Sequence, residues 1–267
     1  MTSTVVHQLS PMPVLFLGQG RVSRHLHFYF NEILKVPCAS LSWREVLSKK
    51  SPETNSGELR NYSFVFLVGR DKDLPVQNQW LNAADYNGRR IHCSARVHLE
   101  GVSAWHPLVS FSHDLFSQDF YLKIPFVGDE YSVSLKDSFL KLPNTEIKIL
   151  KEEREKYHAL CVFASNLSAA LMAHSQEKFE SNFRISKELI APLFQSTALN
   201  IQKQGWAGVT GPMVRGDDES MQKNIKNLES PEEKLIYQTI SEMVHNHFQY
   251  RKPLIEKTEL ANANTGI

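Results

Sequence analysis

Hydrophobic and polar positions fall into two regimes along the chain. Over residues 1–150, short unbroken apolar runs alternate with polar or helically periodic stretches. "VLFL" at 14–17 is the first predicted strand. A helix over 22–34 follows, with Val22, Leu26, Tyr29, Phe30 and Ile33 at helical spacing. Further strands are predicted over 36–41, in "YSFVFLVG", in "RRIHCSA" and in "GVSAWHPLVSF", with shorter ones in "FYLKIPFVG" and "TEIKIL". The polar stretch "SKKSPETNSGELRN" reads as a loop or a ragged helix. Strands that are apolar at successive positions have both faces to bury. The pattern therefore predicts an α/β domain with a parallel sheet covered by helices on both sides.

From residue 151 the period changes. "KEEREKYHALCVFASNLSAALMAHSQEKFE" is helical throughout, with Tyr157, Leu160, Cys161, Ala164, Leu167, Leu171 and Met172 as an apolar stripe. "SKELIAPLFQSTALNIQKQG" continues as helix, with Pro192 as a kink or early-turn residue. "GWAGVTGPMVRGD" is a glycine-rich loop, and Ser230-Pro231-Glu232-Glu233 is a helix start. The expected organisation is a sheet domain over 1–150 and an all-helical domain over 151–267.

Charge and composition narrow the classes of function. The 267 residues carry 30 Lys and Arg against 29 Asp and Glu, a net charge of +1, which leaves no basic footprint for nucleic acid or an anionic membrane. The longest apolar runs are far below the roughly 18 residues of a membrane span. The opening "MTSTVVHQLSP" predicts no secretory leader. Three cysteines, Cys38, Cys93 and Cys161, are odd in number and lack a CxxC pair, which fits reduced thiols in a cytoplasm. The pairs His25/His27 and His245/His247 lie two apart on predicted helices, where side chains diverge, so no metal site is expected.

The chemistry begins where the first strand ends. Gly18-Gln19-Gly20-Arg21-Val22-Ser23 stands between a strand and a helix, as a dinucleotide-binding turn requires. Gly18 would allow the tight turn, and Gly20 would let backbone approach the pyrophosphate. The helix from about Arg21 would aim free N–H groups at the phosphates. The third small residue is Ser23 rather than Gly or Ala. Gln19, Arg21, Val22 and, at the end of the third strand, Val68 complete the predicted cofactor set. After the second strand, Ser42 and Arg44 precede the first acid, Glu45. Arg44 could pair with a 2′-phosphate, which favours NADP over NAD; the alternative is a solvated arginine in the next helix.

Together with "GQGRVS", the stretches "IHCSARVHLEGVSAWHPLVSF", "YHALCVFASNL" and "TGPMVRGD" resemble a bacterial family of Rossmann-like proteins with a helical C-terminal domain of unknown function. That family is similar to 6-phosphogluconate dehydrogenase, pyrroline-5-carboxylate reductase, ketopantoate reductase and deazaflavin-dependent NADP reductase. The resemblance covers almost the whole chain. It implies a Rossmann-type sheet domain, a 6-phosphogluconate dehydrogenase-like helical domain, and an NAD(P)-dependent oxidoreductase with its substrate in the cleft between them. A homodimer through the helical domain is implied as well.

Site residues follow on that reading. Ser94 and His106-Pro107 resemble, in order and spacing, the serine and His-Pro of prephenate dehydrogenases, which lie near substrate and nicotinamide. Both also follow predicted strands at the carboxyl edge of the sheet, where ligands collect, and a histidine titrating near neutrality suits proton transfer. Ser94 could equally cap its strand, and His106 could be structural. Related dehydrogenases carry a Lys and an Asn one turn apart on the long helix. Here His158 and Asn166 occupy that region, the Lys/Asn pair is absent, and ideal helical phase puts Ser165 on the face of His158. Arg215 could clamp a substrate anion, and Asp217 could cap the next helix. The expected function is hydride transfer between NADP and a small polar, anionic substrate. The alternative is a non-catalytic dinucleotide-binding sensor or regulator.

Overall fold

A computed structural model describes residues 13–48, 56–138 and 140–263, with side chains at 56 and 250–263 left aside. Expectations for the first residues, for 49–55 and for 264–267 lie outside the described residues. Seven strands form one sheet: β1 (Val14–Leu17), β2 (Cys38–Leu41), β3 (Phe64–Leu67), β4 (Arg89–His92), β5 (Ser103–Pro107), β6 (Phe126–Asp129) and β7 (Glu146–Ile149), in the order β2-β1-β3-β4-β5-β6-β7. The first five run parallel. β6 is antiparallel to β5, and β7 is parallel to β6. The all-parallel expectation is thus corrected at one edge. The connection from β5 to β6 carries only the short α5 (Gln118–Lys123), and the last two strands return in the opposite sense.

The apolar runs are explained by burial on both faces. Val14 and Phe16 of β1, with Phe64 and Phe66 of β3, face a core of Leu26, Tyr29, Phe30, Trp105 and Tyr121. The alternate residues Leu15, Leu17, Val65 and Leu67 face a second core with Val46, Leu74, Leu81 and Tyr86. Period 2 puts neighbours on opposite faces, so a strand covered twice reads as apolar throughout. Each such side chain contributes about 1.5–3 kcal/mol by leaving water. Helix α1 (Arg21–Phe28) runs into a π turn, Tyr29–Ile33, closed by Leu34 N–H donating to Tyr29 O at 3.0 Å and ended by Lys35 at φ 57°. The remaining helices of the sheet unit are α2 (Trp43–Ser48), α3 (Ser56–Leu59), α4 (Leu74–Ala83) and α6 (Arg154–Val162).

Polar groups inside the first core are paired. Tyr29 Oη donates to Asn144 Oδ1. Asn144 Nδ2 donates to the carbonyls of Tyr121 and Ile124 at 2.8 and 2.9 Å. His25 is fully buried, with Nδ1 2.6 Å from Tyr121 Oη and Nε2 3.0 Å from Ser112 O. Its role is structural.

Two compact units divide at Ala170/Leu171, against the 150/151 boundary proposed from composition. The difference lies in α6, whose polar opening looks like a helical-domain start. Arg154 and Tyr157 of that helix bond to Ser94 and His106 of the sheet unit. The second unit contains most of α7 (Ser168–Phe183), then α8 (Lys187–Gln204), α9 (Pro212–Arg215), α10 (Asp218–Asn227) and α11 (Pro231–Ala263). α8 stops at Gly205, φ 55°. α10 begins at Asp217, whose carboxylate accepts from Ser220 N at 3.0 Å. Leu189, Leu193, Leu235 and Phe183 are exposed in this unit. None of the described helices is long and apolar enough to cross a membrane.

Candidate functional site

The glycine turn is built from the end of β1. Gly18 has φ +141°, and a Cβ there would stand 2.9 Å from the carbonyl oxygen of Val68. Only glycine lets β1 and the end of β3 come this close. Gly18 N donates to Leu41 O at 2.8 Å, which ties the turn to β2. Ser23, in the third small position, is buried and donates through Oγ to Gly18 O at 2.7 Å. Its hydroxyl stitches the helix to the turn, so serine is a competent substitute for Gly or Ala. Gly20 is the N-cap of α1, and a Cβ there would meet nothing within 4 Å. No side chain caps α1, and no acid stands in its first turn. The leading N–H groups therefore face open space suited to an anion.

Gln19 and Arg21 are exposed on the turn, and Val22 is half-buried. Ser42 links β2 to α2, its carbonyl accepting from Val46 N at 3.0 Å. Arg44 is exposed in the first turn of α2.

A cleft of about 240 Å³ opens beside this turn within the sheet unit. Val22, Val68, Ser94, His106 and His158 line it together, with Arg70, Asp71 and Cys93. Five of the sequence-selected residues thus converge. Ser94 lies two residues past β4, and its Oγ accepts from the N–H groups of Arg96 and Val97 at 3.2 and 3.0 Å. It is a capping residue whose own proton meets no acceptor among the described residues. Burial pushes the Cys93 thiol up to about 12, so it is no nucleophile at neutral pH.

His106 lies inside β5 rather than after it. Burial, then the charges of Arg154 and His158, push its pKa down to about 4. This corrects the expectation of a histidine titrating near neutrality: the low-dielectric site and a neighbouring guanidinium disfavour the imidazolium. His106 is a neutral imidazole at pH 7, with Nδ1 2.8 Å from Tyr157 Oη.

Helix phase is corrected too. A π turn, Phe163–Leu167, interrupts the predicted continuous helix after α6. One inserted residue subtracts about 100°. Ideal helical phase therefore no longer relates Ser165 and Asn166 to His158, and of the three only His158 lines the cleft. Ser165 Oγ donates back to Cys161 O at 2.7 Å, and Asn166 is exposed. Arg215 is exposed at the end of α9, in the second unit, and is not among the cleft residues.

Several residues that matter here were missed from sequence. Arg154 is almost fully buried; it donates through Nη2 to Ser94 O at 2.5 Å and lies 3.8 Å from Asp129 Oδ2. Burial alone would raise the Asp129 pKa, but hydrogen bonds from Ser132 and His98 and the Arg154 charge outweigh it, and the carboxylate sits below its usual range. His92 is fully buried, and burial with the Arg154 charge pushes its pKa down to about 3. A buried ion pair thus supports the strand-end loop that carries Ser94. Asp129 gave one signal, an acid ending the buried run "FVGD"; Arg154 gave none within its charged run.

Residues 128–244 match the family described as a domain of unknown function, DUF2520. No curated protein matches the chain in sequence. Among solved structures, a Bacteroides fragilis protein proposed to be an NADP oxidoreductase, BF3122, is similar with TM-score 0.65 and 16% identity, over 89% of this chain and 99% of that one. Protein TM1727 from Thermotoga maritima gives TM-score 0.62 and 21% identity, over 90% and 99%. Pyrroline carboxylate reductase of Plasmodium falciparum, solved with NADP bound, gives TM-score 0.50 and 9% identity, over 91% and 98%. Residues 128–244 thus resemble the DUF2520 family, and the chain as a whole shares the fold of these solved structures.

Proposed function

We propose that this chain is an NADP-dependent oxidoreductase that exchanges a hydride with a small polar, anionic substrate. The observation that carries the reading is the turn from Gly18 to Gly20. It joins a backbone contact that excludes any side chain to an uncapped helix N-terminus in open space. Pyrophosphate oxygens suit that position. When bound, the dinucleotide supplies the hydride. Gly18, Gln19, Gly20, Arg21 and Val22 hold the phosphates, Ser42 and Arg44 take the adenosine 2′-phosphate, and Val68 flanks the dinucleotide. NADP in the Plasmodium neighbour supports the cofactor class. NAD is the weaker alternative, because no acid stands between β2 and Arg44.

The substrate binds in the cleft lined by Ser94, His106 and His158, where Arg70 and Asp71 also stand. His106 and Ser94 bind the reacting group, with His158 and Asn166 beside them. Arg215 is assigned to a substrate anion. The helical unit, residues 151–267 in the sequence-based division, pairs two chains through its exposed leucines and Phe183. Three free thiols fit a cytoplasmic setting.

The test is cofactor absorbance followed over a panel of small acids, in both directions. Turnover by the wild type is expected. His106→Ala should lower kcat about 10²–10³-fold with cofactor affinity unchanged, and His158→Ala should do less. Saturable NADPH binding with no turnover across the panel would favour a dinucleotide-binding sensor or regulator.

A further inference from the structure

Tyr157 looks like one more packing residue of an apolar helix stripe. In the structure it meets His106 edge to face, ring centroids 5.7 Å apart at 78°, and its hydroxyl lies 2.8 Å from His106 Nδ1. The other ring nitrogen of His106, Nε2, has no hydrogen-bond partner among the described residues and is not a buried orphan. Since His106 lines the cleft, Nε2 is the atom left for a ligand.

Where the protons lie on this pair decides what Nε2 can do. Burial, reinforced by the Cys161 thiol, raises the Tyr157 pKa, so the phenol keeps its proton. The imidazole is neutral at pH 7 and carries one N–H. A phenol is a stronger acid than a neutral imidazole N–H, and an imidazole nitrogen is a stronger acceptor than a phenol oxygen. The favoured bond is therefore Tyr157 O–H donating to Nδ1, which leaves the imidazole proton on Nε2.

We propose that Tyr157 is a positioning residue that holds His106 as its Nε2–H tautomer, so that the cleft presents a hydrogen-bond donor to its substrate. The substrate class follows. A carbonyl or imine offers a lone pair to Nε2–H, and the bond strengthens as negative charge builds on that atom during reduction. An alcohol or amine awaiting oxidation needs a group to accept its proton, and Nε2–H has no lone pair for it. The resting site is thereby matched to the oxidised partner, a carbonyl or imine: the dinucleotide supplies the hydride, Nε2–H holds the atom that gains charge, and solvent water supplies the proton that completes the reduction. Proton position rests on the His106–Tyr157 geometry alone, whereas the substrate class rests also on the oxidoreductase reading above.

Long-range ¹H–¹⁵N NMR of the full chain, without cofactor or substrate, reads the tautomer directly. The His106 signals are assigned by their loss in His106→Gln. Wild type at pH 7 should show the proton on Nε2 alone and an Nδ1 shift displaced by an accepted hydrogen bond. In Tyr157→Phe that displacement should vanish, and an Nδ1–H form should become detectable. A dominant Nδ1–H form in wild type overturns the proposal, as does an Nδ1 signal unmoved in Tyr157→Phe. If Tyr157→Phe does not fold, the wild-type tautomer and Nδ1 shift decide. NADPH titration of the same sample separates the two claims: Nε2–H with no cofactor binding refutes the oxidoreductase reading and leaves the positioning role standing.

Discussion

Replacing Gly18 by alanine sets a methyl group against backbone that cannot retreat. The added carbon would lie 2.9 Å from Val68 O and 3.2 Å from Val68 C, one residue past the strand that pairs with β1 along its whole length. The backbone at φ +141° is itself in a region that L-residues rarely adopt. Strain of that kind costs about 1–3 kcal/mol, and a forced shift of packed neighbours about as much again. The smaller entropy of the unfolded alanine chain returns only about 0.4–1 kcal/mol. The net expectation is a loss of about 1–5 kcal/mol, a fall in Tm of roughly 2–20 °C for a chain of this size. Gly20 sits two residues on with the opposite balance. Its φ of −77° suits any residue, and nothing lies within 4 Å of a Cβ. Gly20→Val should change stability by no more than about 1 kcal/mol yet weaken NADPH at least about tenfold, ~1.4 kcal/mol, because its side chain occupies the phosphate space. Thermal unfolding and calorimetric titration of both variants give the four numbers needed. A Gly18→Ala protein as stable as wild type would refute the packing argument. A folded Gly20→Val protein with undiminished NADPH affinity would refute the cofactor turn.

Arg44→Asp should weaken NADPH more than NADH, because it puts a like charge beside the 2′-phosphate; an unchanged affinity ratio would return Arg44 to the surface. Stability should fall with acidity before the carboxylates titrate. His92 and His106 have folded pKa values of about 3 and 4, below the roughly 6.5 of an unfolded histidine. The unfolded chain binds the extra protons, so stability is full above about pH 6.5 and declines toward pH 4 by ~1.4 kcal/mol per pH unit for each histidine. Urea unfolding of wild type and His106→Gln at pH 5 and 7 should show the slope reduced by one proton in the variant, and an equal slope would count against a buried neutral His106. Light scattering at micromolar concentration should give twice the chain mass; a monomer would remove the proposed pairing through the helical unit.

What could be read from the chain follows from locality. Strands β1 and β3 were legible because burial on both faces leaves an unbroken apolar run, and the glycine turn because its constraint lies within six residues. The reversal of β6 was not legible, since strand direction depends on connections that carry no period. The π turn at Phe163–Leu167 escaped for a related reason: one inserted residue leaves composition unchanged but resets the helical phase between His158 and the residues that follow. His106 and Ser94 could be placed at the sheet edge, whereas the pKa of His106 depends on Arg154, far away in sequence and hidden in a charged run. Tyr157 was visible only as an apolar position, because its hydroxyl partner lies on β5.

Calorimetric titration of the wild-type protein with NADPH tests the central claim most directly. One saturable site per chain, with NADH binding more weakly, is the predicted result. No saturable binding of either dinucleotide up to millimolar concentration, by a protein shown to be folded, would contradict it.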